Sequence, residues 1–206
     1  MASISTNSRK SVGRARAVGA KLLTLPVTPD PQLDGLLALL VTDLEDFTPL
    51  VERLGDIRAQ QVIQQHNRLV RACIRRWRGQ EVAHTGDGVM AAFRSIAAAL
   101  HCARDIQLAL TELSGGPAGA PLRARMGLHA GEPLPEEDRL FGHCVNTAVR
   151  VCNRAEAGHV LVTDVVKQLA QGRFSFCCGG LHTLKGLSTP VRLYEYGWDE
   201  ACQRAV

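Results

Sequence analysis

Residues 36–48 read Leu36-Leu37-Ala38-Leu39-Leu40-Val41-Thr42-Asp43-Leu44-Glu45-Asp46-Phe47-Thr48, and the fold is decided there. The stretch opens with the longest unbroken apolar run in the chain, residues 36–41. A continuous run, unlike an alternating one, predicts a strand over residues 36–42 that is covered on both faces. Asp43 follows directly. A carboxylate placed there lies at the C-terminal edge of the sheet, where α/β proteins hold ligands.

Outward from this strand, apolar and helical periods alternate. Residues 57–78 carry Val62, Leu69, Val70, Cys73, Ile74 and Trp77 at helical spacing. Residues 81–84 and 89–93 flank Thr85-Gly86-Asp87-Gly88, which predicts a hairpin with a glycine-supported turn. A second helix runs from Ser95, as N-cap, through Ile96, Leu100, Ala103, Ile106, Leu110 and Leu113, and stops at Gly115-Gly116-Pro117. Strands are expected at 122–129, 159–163, 174–178, 182–185 and 191–196, with a helix at 145–155. The alternation predicts an α/β sandwich, a mixed sheet with helices packed on one face. Residues 1–35 read as a basic, disordered tail and a linker punctuated by Pro26, Pro29 and Pro31. The domain covers 36–197, and 198–206 form a C-terminal tail.

Charge narrows the function. The 206 residues carry a formal net charge of +4. Residues 1–25 hold Arg9, Lys10, Arg14, Arg16 and Lys21 and no acid, so the excess belongs to the tail and the rest is close to neutral. With no basic stripe or aromatic platform in the domain, no nucleic-acid partner is expected. No apolar run reaches the length of a membrane span. Seven cysteines without a CxxC pair read as reduced, mostly buried side chains of a cytoplasmic protein.

If the strand ending at Asp43 neighbours the hairpin, Asp43 and Asp87 converge. Paired carboxylates without Cys or His partners favour hard cations such as Mg²⁺ or Mn²⁺. Two such ions roughly 3.5–4 Å apart serve displacement at phosphorus. Taken singly, each residue has a plain alternative: Asp43 as the cap of the next turn, Asp87 as an ordinary hairpin residue.

Four segments occur in order: residues 41–48, His84-Thr85-Gly86-Asp87-Gly88-Val89-Met90-Ala91, Gly127-Leu128-His129-Ala130-Gly131-Glu132, and Phe141-Gly142-His143-Cys144-Val145-Asn146-Thr147-Ala148-Val149-Arg150. Together they resemble the catalytic domain of class III nucleotidyl cyclases, the adenylate and guanylate cyclase homology domain, over about residues 36–197. The resemblance implies a ferredoxin-like α/β (α+β) fold acting as a head-to-tail homodimer with sites shared across the interface. It matches Asp43 and Asp87 to two metal-binding aspartates, with the Leu44 carbonyl as a further ligand for two Mn²⁺ or Mg²⁺ ions. It places the backbone of residues 44–48, Phe47 and Thr48 included, around the substrate's phosphates, as amides opening a helix allow. Asn146 and Arg150 match the transition-state pair, and Lys185 a phosphate-contacting lysine.

Two positions depart from the family pattern. Adenylate and guanylate cyclases read the purine with Lys or Glu where this chain has Ala83, and with Asp, Thr or Cys where it has Arg139. A guanidinium only donates hydrogen bonds, so Arg139 favours carbonyl acceptors such as those of uracil. The chain is similar in this to the stand-alone pyrimidine cyclases of bacterial antiphage signalling. That similarity implies UTP, then CTP, as substrate, a cyclic nucleotide product, and a separate effector that responds to it. The other readings are a cyclase using ATP or GTP, and a catalytically silent cyclase-like module. Asp46, an acid where the family has glycine, favours the silent module if it points inward. A one-residue slip would bring Asp138 into the pocket and favour an amino-bearing base.

Overall fold

The computed structural model describes residues 33–45, 47–84, 86–113, 122–136 and 139–199, without the side chains of Phe47, Thr48 and Cys178. Of the tails expected at 1–35 and 198–206, residues 1–32 and 200–206 lie outside these residues, as do the readings placed on Asp46 and Asp138. In the described parts Leu33 is buried in a core cluster and the Trp198 Nε1–H donates to the Gly158 carbonyl at 3.0 Å, so the domain reaches past 36 and 197. In chain order the elements are β1 (Leu37–Leu44), α1 (Phe47–Leu54), α2 (Asp56–Arg76), β2 (Gln80–His84), β3 (Gly88–Phe93), α3 (Ile96–Leu113), β4 (Ala124–Gly131), β5 (Leu134–Glu136), β6 (Arg139–Phe141), α4 (His143–Arg154), β7 (Val160–Thr163), α5 (Asp164–Leu169), β8 (Phe176–His182) and β9 (Val191–Tyr196). Seven strands form one sheet in the order β2-β3-β1-β4-β7-β9-β8, and β5 and β6 form a separate ribbon. The β4–β7 pair is parallel and the other pairs are antiparallel, so the sheet is mixed.

The apolar run becomes the third strand of seven and is covered on both faces as expected. Alternation sends Ala38, Leu40 and Leu44 to one side, against Val70 and Ile74 of α2 and Leu100, Ala103 and Ile106 of α3. Leu37 and Leu39 go to the other side, against Cys144 and Ala148 of α4. This corrects the expectation of helices on one face only: α2 and α3 cover one face and α4 the other.

Two glycines let α4 lie there. A Cβ on Gly127 would sit 2.1 Å from the Cys152 nitrogen, and one on Gly131 2.7 Å from the Cys144 Cβ. Both are on β4 and four residues apart, hence on one face. The α4 residues that meet them are Cys144 at Gly131 and, through their backbone, Val151 and Cys152 at Gly127. The glycines thus fix how close α4 comes, and with it the two residues that face outward, Asn146 and Arg150.

Most predicted elements form. Ser95 caps α3, accepting the Ala98 N–H at 3.3 Å. A bidentate ion pair, Arg71 to Glu81 at 2.7 and 2.9 Å, ties β2 to α2. The predicted strand over 182–185 does not form. Instead β8 runs from Phe176 to His182 through a register shift between Cys178 and Gly180. Residues 184–187 then make a turn, closed by the Leu187 N–H to the Leu184 carbonyl at 3.0 Å, with Gly186 at φ +82°. The structure adds α1, α5 and the β5–β6 ribbon. Pro49 is tolerated in α1 because it falls in the first turn, where the missing N–H has no partner to lose. Among the described residues no helix is long and apolar enough to cross a membrane.

Candidate active site

Sheet register brings the two aspartates together. Asp43 pairs with Gly88 across β1–β3, so the residue before Gly88, Asp87, stands beside the end of β1. The Leu44 N–H donates to the Asp87 carbonyl at 3.3 Å. Gly86, at φ +96°, supplies the left-handed backbone that turns the chain into Asp87. Burial first, and the Asp43 charge second, push the Asp87 carboxyl above its ordinary range. Two half-buried acids that repel each other favour a cation between them. Their oxygens, with the Leu44 carbonyl next in sequence, are the hard donors that a divalent ion of the Mg²⁺ or Mn²⁺ type prefers. The residues present therefore fit such an ion.

A third group, Arg125, was not found from sequence. It faces Asp43 across β1–β4. Its Nε and Nη2 both donate to Asp43 Oδ2, at 2.9 and 2.5 Å. This guanidinium partly neutralises the acid pair and fixes the Asp43 carboxylate. Its position two residues before Gly127 is visible in the sequence, but the pairing depends on register between strands 82 residues apart.

The helix α1 begins at Phe47, three residues beyond Leu44, so its opening amides lie close in sequence to Asp43. Such amides, with the positive end of the helix dipole, suit phosphate oxygens.

Asn146 and Arg150 form a second set. The α4 residues against the sheet are Cys144, Thr147, Ala148, Val151 and Cys152. Asn146 and Arg150 lie four apart on the opposite side, exposed and half-buried. Leu184, the neighbour of Lys185, is 3% exposed and clusters with Val151, one residue beyond Arg150. Lys185 itself is exposed, in a turn and not on the strand expected for it. Among the described residues, no hydrogen bond or ion pair joins Asn146, Arg150 or Lys185 to Asp43 or Asp87.

Ala83 and Arg139 lie near each other but differ in setting. Ala83 is 6% exposed, in a cluster with Val82, Leu140 and Cys144. Its methyl is packing, with no polar atom to offer. Arg139, next to Leu140 in β6, is exposed and pairs with Glu136, through Nε at 2.9 Å and Nη2 at 2.8 Å. A guanidinium has five donor hydrogens, so this pair does not exhaust it.

The family described as the adenylate and guanylate cyclase catalytic domain matches residues 31–196. A putative adenylate cyclase 3 of Rhizobium meliloti is 27% identical over 164 residues, which is 78% of this chain and 28% of that protein. Two further curated relatives are likewise covered for only 6% and 20% of their lengths. Among solved structures, an adenylate/guanylate cyclase/hydrolase from Silicibacter pomeroyi is 31% identical with a TM-score of 0.67, covering 79% of this chain and 96% of its own. A Trypanosoma brucei adenylate cyclase, studied in its monomeric state, shares the fold at 24% identity and a TM-score of 0.72, covering 83% and 93%.

Proposed function

The chain belongs to the adenylate and guanylate cyclase catalytic domain family, and we propose that it is a nucleotidyl cyclase that joins two copies head to tail to complete its sites. The convergence of Asp43 and Asp87, with Asn146 and Arg150 on the side of α4 away from the sheet and without a described hydrogen bond or ion pair to the aspartates, supports this reading. One copy would contribute Asp43, Leu44, Asp87 and the opening amides of α1. The other would contribute Asn146, Arg150 and Lys185. A homodimer then has two equivalent composite sites.

Enzymes of this family use divalent metal ions, and here Asp43, Asp87 and the Leu44 carbonyl would hold two Mn²⁺ or Mg²⁺ ions. Bound there, such ions offset triphosphate charge and make the ribose 3′-hydroxyl more acidic. The protein's own groups do the rest. The α1 amides hold the phosphates in place. Asn146 orients the ribose so that its 3′-oxygen faces the α-phosphorus. Arg150 donates to the α-phosphate oxygens as charge builds on them, and Lys185 to the outer phosphates. The 3′-hydroxyl gives its proton to solvent as its oxygen bonds to the α-phosphorus, the bond to the bridging oxygen breaks, and pyrophosphate leaves.

For the base, Arg139 is the guide. Ala83 presents only a methyl, and Arg139 only donors. An adenine amino group facing Arg139 would be left unpaired at a cost of about 1–3 kcal/mol. Uracil offers carbonyl oxygens on both sides of N3, which supports UTP, then CTP, and a cyclic pyrimidine product. A bacterial antiphage signal read by a separate effector is the role that goes with it. The relatives' names support ATP as the second reading.

The test is to incubate purified protein and Mn²⁺ with each of four nucleoside triphosphates and measure cyclic product. The expected result is product from UTP that disappears in both Asp43→Ala and Arg150→Ala. Product from ATP alone would overturn the pyrimidine assignment. No product from any substrate would overturn the enzyme and leave the silent module.

A further inference from the structure

Behind the hairpin that carries Asp87, helix α2 buries a polar cluster that the chemistry above does not use. His66 is fully buried and Asn67 is 8% exposed, on a helix whose other buried residues are Ala59, Val70 and Ile74. His66 Nδ1 lies 3.1 Å from Asn67 Oδ1. Asn67 Nδ2 lies 3.3 Å from the Gly86 carbonyl oxygen and 3.5 Å from His84 Nε2.

Donor counting settles the directions. An amide nitrogen has two hydrogens and accepts nothing, so Asn67 donates to the Gly86 carbonyl and to His84 Nε2. Its oxygen then receives the His66 Nδ1–H. Both imidazoles are placed as neutral Nδ1–H tautomers, in keeping with the burial that lowers the His66 pKa. The remaining nitrogens, His66 Nε2 and His84 Nδ1, are buried without a hydrogen-bond partner among the described residues.

Buried donors and acceptors left unmatched cost stability. A leucine at position 67 would avoid placing an amide there at all, so the cluster is a poor device for holding α2 to the sheet. What it does is hold one side chain, the Asn67 amide, between two rings, with its remaining hydrogen on the carbonyl of the residue before Asp87. The hairpin needs such a hold. Gly86 stands in left-handed conformation, and a Cβ there would meet nothing within 4 Å. On its other side Asp87 is tied to β1, its carbonyl accepting the Leu44 N–H at 3.3 Å and Gly88 pairing with Asp43.

We propose that Asn67 is a positioning residue: its amide, oriented by His66 and His84, anchors the Gly86 carbonyl and so fixes where the Asp87 carboxylate stands for cation binding. The inference rests on the reading of Asp43 and Asp87 as cation ligands.

The test uses the full chain with Asn67→Leu, which removes both donors at similar size. It also uses Asn67→Asp, which keeps the acceptor for His66 but cannot donate to Gly86. In metal-free protein, amide hydrogen exchange at Gly86, Asp87 and Gly88 should quicken about tenfold in both variants while α3 is unchanged. Mn²⁺ affinity, read by electron paramagnetic resonance of the free ion in the presence of inorganic triphosphate, should weaken about tenfold. The Mn²⁺ concentration for half-maximal activity should rise by the same factor, with kcat at saturating Mn²⁺ within about twofold. A merely structural residue would lower the melting temperature and leave hairpin exchange and Mn²⁺ affinity as in wild type. That result in both variants overturns the proposal. Absence of Mn²⁺ binding in the wild type is a different result. It overturns the cation reading first, and this inference with it.

Discussion

Replacing Gly127 by alanine tests how the sheet sets the reactive helix. The added Cβ would lie 2.1 Å from the Cys152 nitrogen, 2.6 Å from its Cα and 2.8 Å from the Val151 carbonyl carbon. All three are helix backbone and cannot rotate away. Contact between such atoms relaxes at about 3.5 Å or more, so α4 must withdraw by roughly 1.5 Å. Overpacking a core costs about 1–3 kcal/mol, and a clash with backbone belongs at the upper end. At about 2–4 °C per kcal/mol for a domain of this size, the melting temperature should fall by about 6–12 °C. Asn146 and Arg150 ride on α4, and an ångström of misplacement can cost about a hundredfold in rate. Thermal denaturation by circular dichroism and the cyclisation assay read the two effects. Mn²⁺ affinity, set by Asp43 and Asp87, should stay near wild type. Gly172→Ala is the control. Its φ is +71° with open space around it, so the variant should lose about 1–2 kcal/mol of stability from backbone strain and no activity. A Gly127→Ala variant with wild-type melting and full activity would refute the argument that this glycine sets the α4 distance.

Three further outcomes follow from the acid pair and the base-facing arginine. Asp87→Asn should raise the melting temperature at pH 7 in EDTA while abolishing Mn²⁺ binding. Because the folded pKa of Asp87 is raised, by burial and then by Asp43, its contribution to stability is present below the ordinary carboxylate value and lost as pH rises through the raised one. The advantage of the asparagine should therefore vanish on acidification to the range where both states are protonated, and an advantage that persists there would contradict the assignment. Arg125→Ala should cost about 1.5–3 kcal/mol, the range for hydrogen bonds to a charged group, and much less in an Asp43→Ala background. Equal costs in the two backgrounds, by urea denaturation, would deny the pairing. Arg139→Ala should lower kcat/KM for UTP by about 10-fold and narrow its preference over ATP, since a lost hydrogen bond of about 1.4 kcal/mol is a factor of ten. An unchanged UTP-to-ATP ratio would remove Arg139 from base recognition.

Much of this arrangement is legible in the residues alone, for identifiable reasons. Six consecutive apolar residues can only be a buried strand or part of a buried helix, and Asp43 at the end marks a sheet edge. Thr85-Gly86-Asp87-Gly88 between two short apolar runs leaves little choice but a hairpin. Both α2 and α3 are long enough for their period to show. The helices α1 and α5 have 8 and 6 residues, too few turns for periodicity to separate them from loop. The strand expected at 182–185 failed because a shift at Cys178/Gly180 carries β8 past the glycines, and the chain then turns at Gly186. That helices cover both faces was also readable. Gly127 and Gly131, four apart in a strand, mark a face that something approaches closely, and small Cys144, Ala148 and Cys152 mark the helix that does. The Arg125–Asp43 pair and the Asn67 cluster depend on register and packing across 82 and 17–19 residues. Local spacing carries no trace of them.

Whether Asp43 and Arg150 serve one site across two copies of the chain is the central question, and mixing two inactive variants answers it. Asp43→Ala and Arg150→Ala, each purified and each without activity, are combined in equal amounts, allowed to exchange subunits and assayed with Mn²⁺ and UTP. With random pairing half of the dimers are mixed, and each mixed dimer has one intact and one doubly defective site. Activity should therefore return to about a quarter of wild type. A mixture that exchanges subunits yet stays inactive would contradict the composite site.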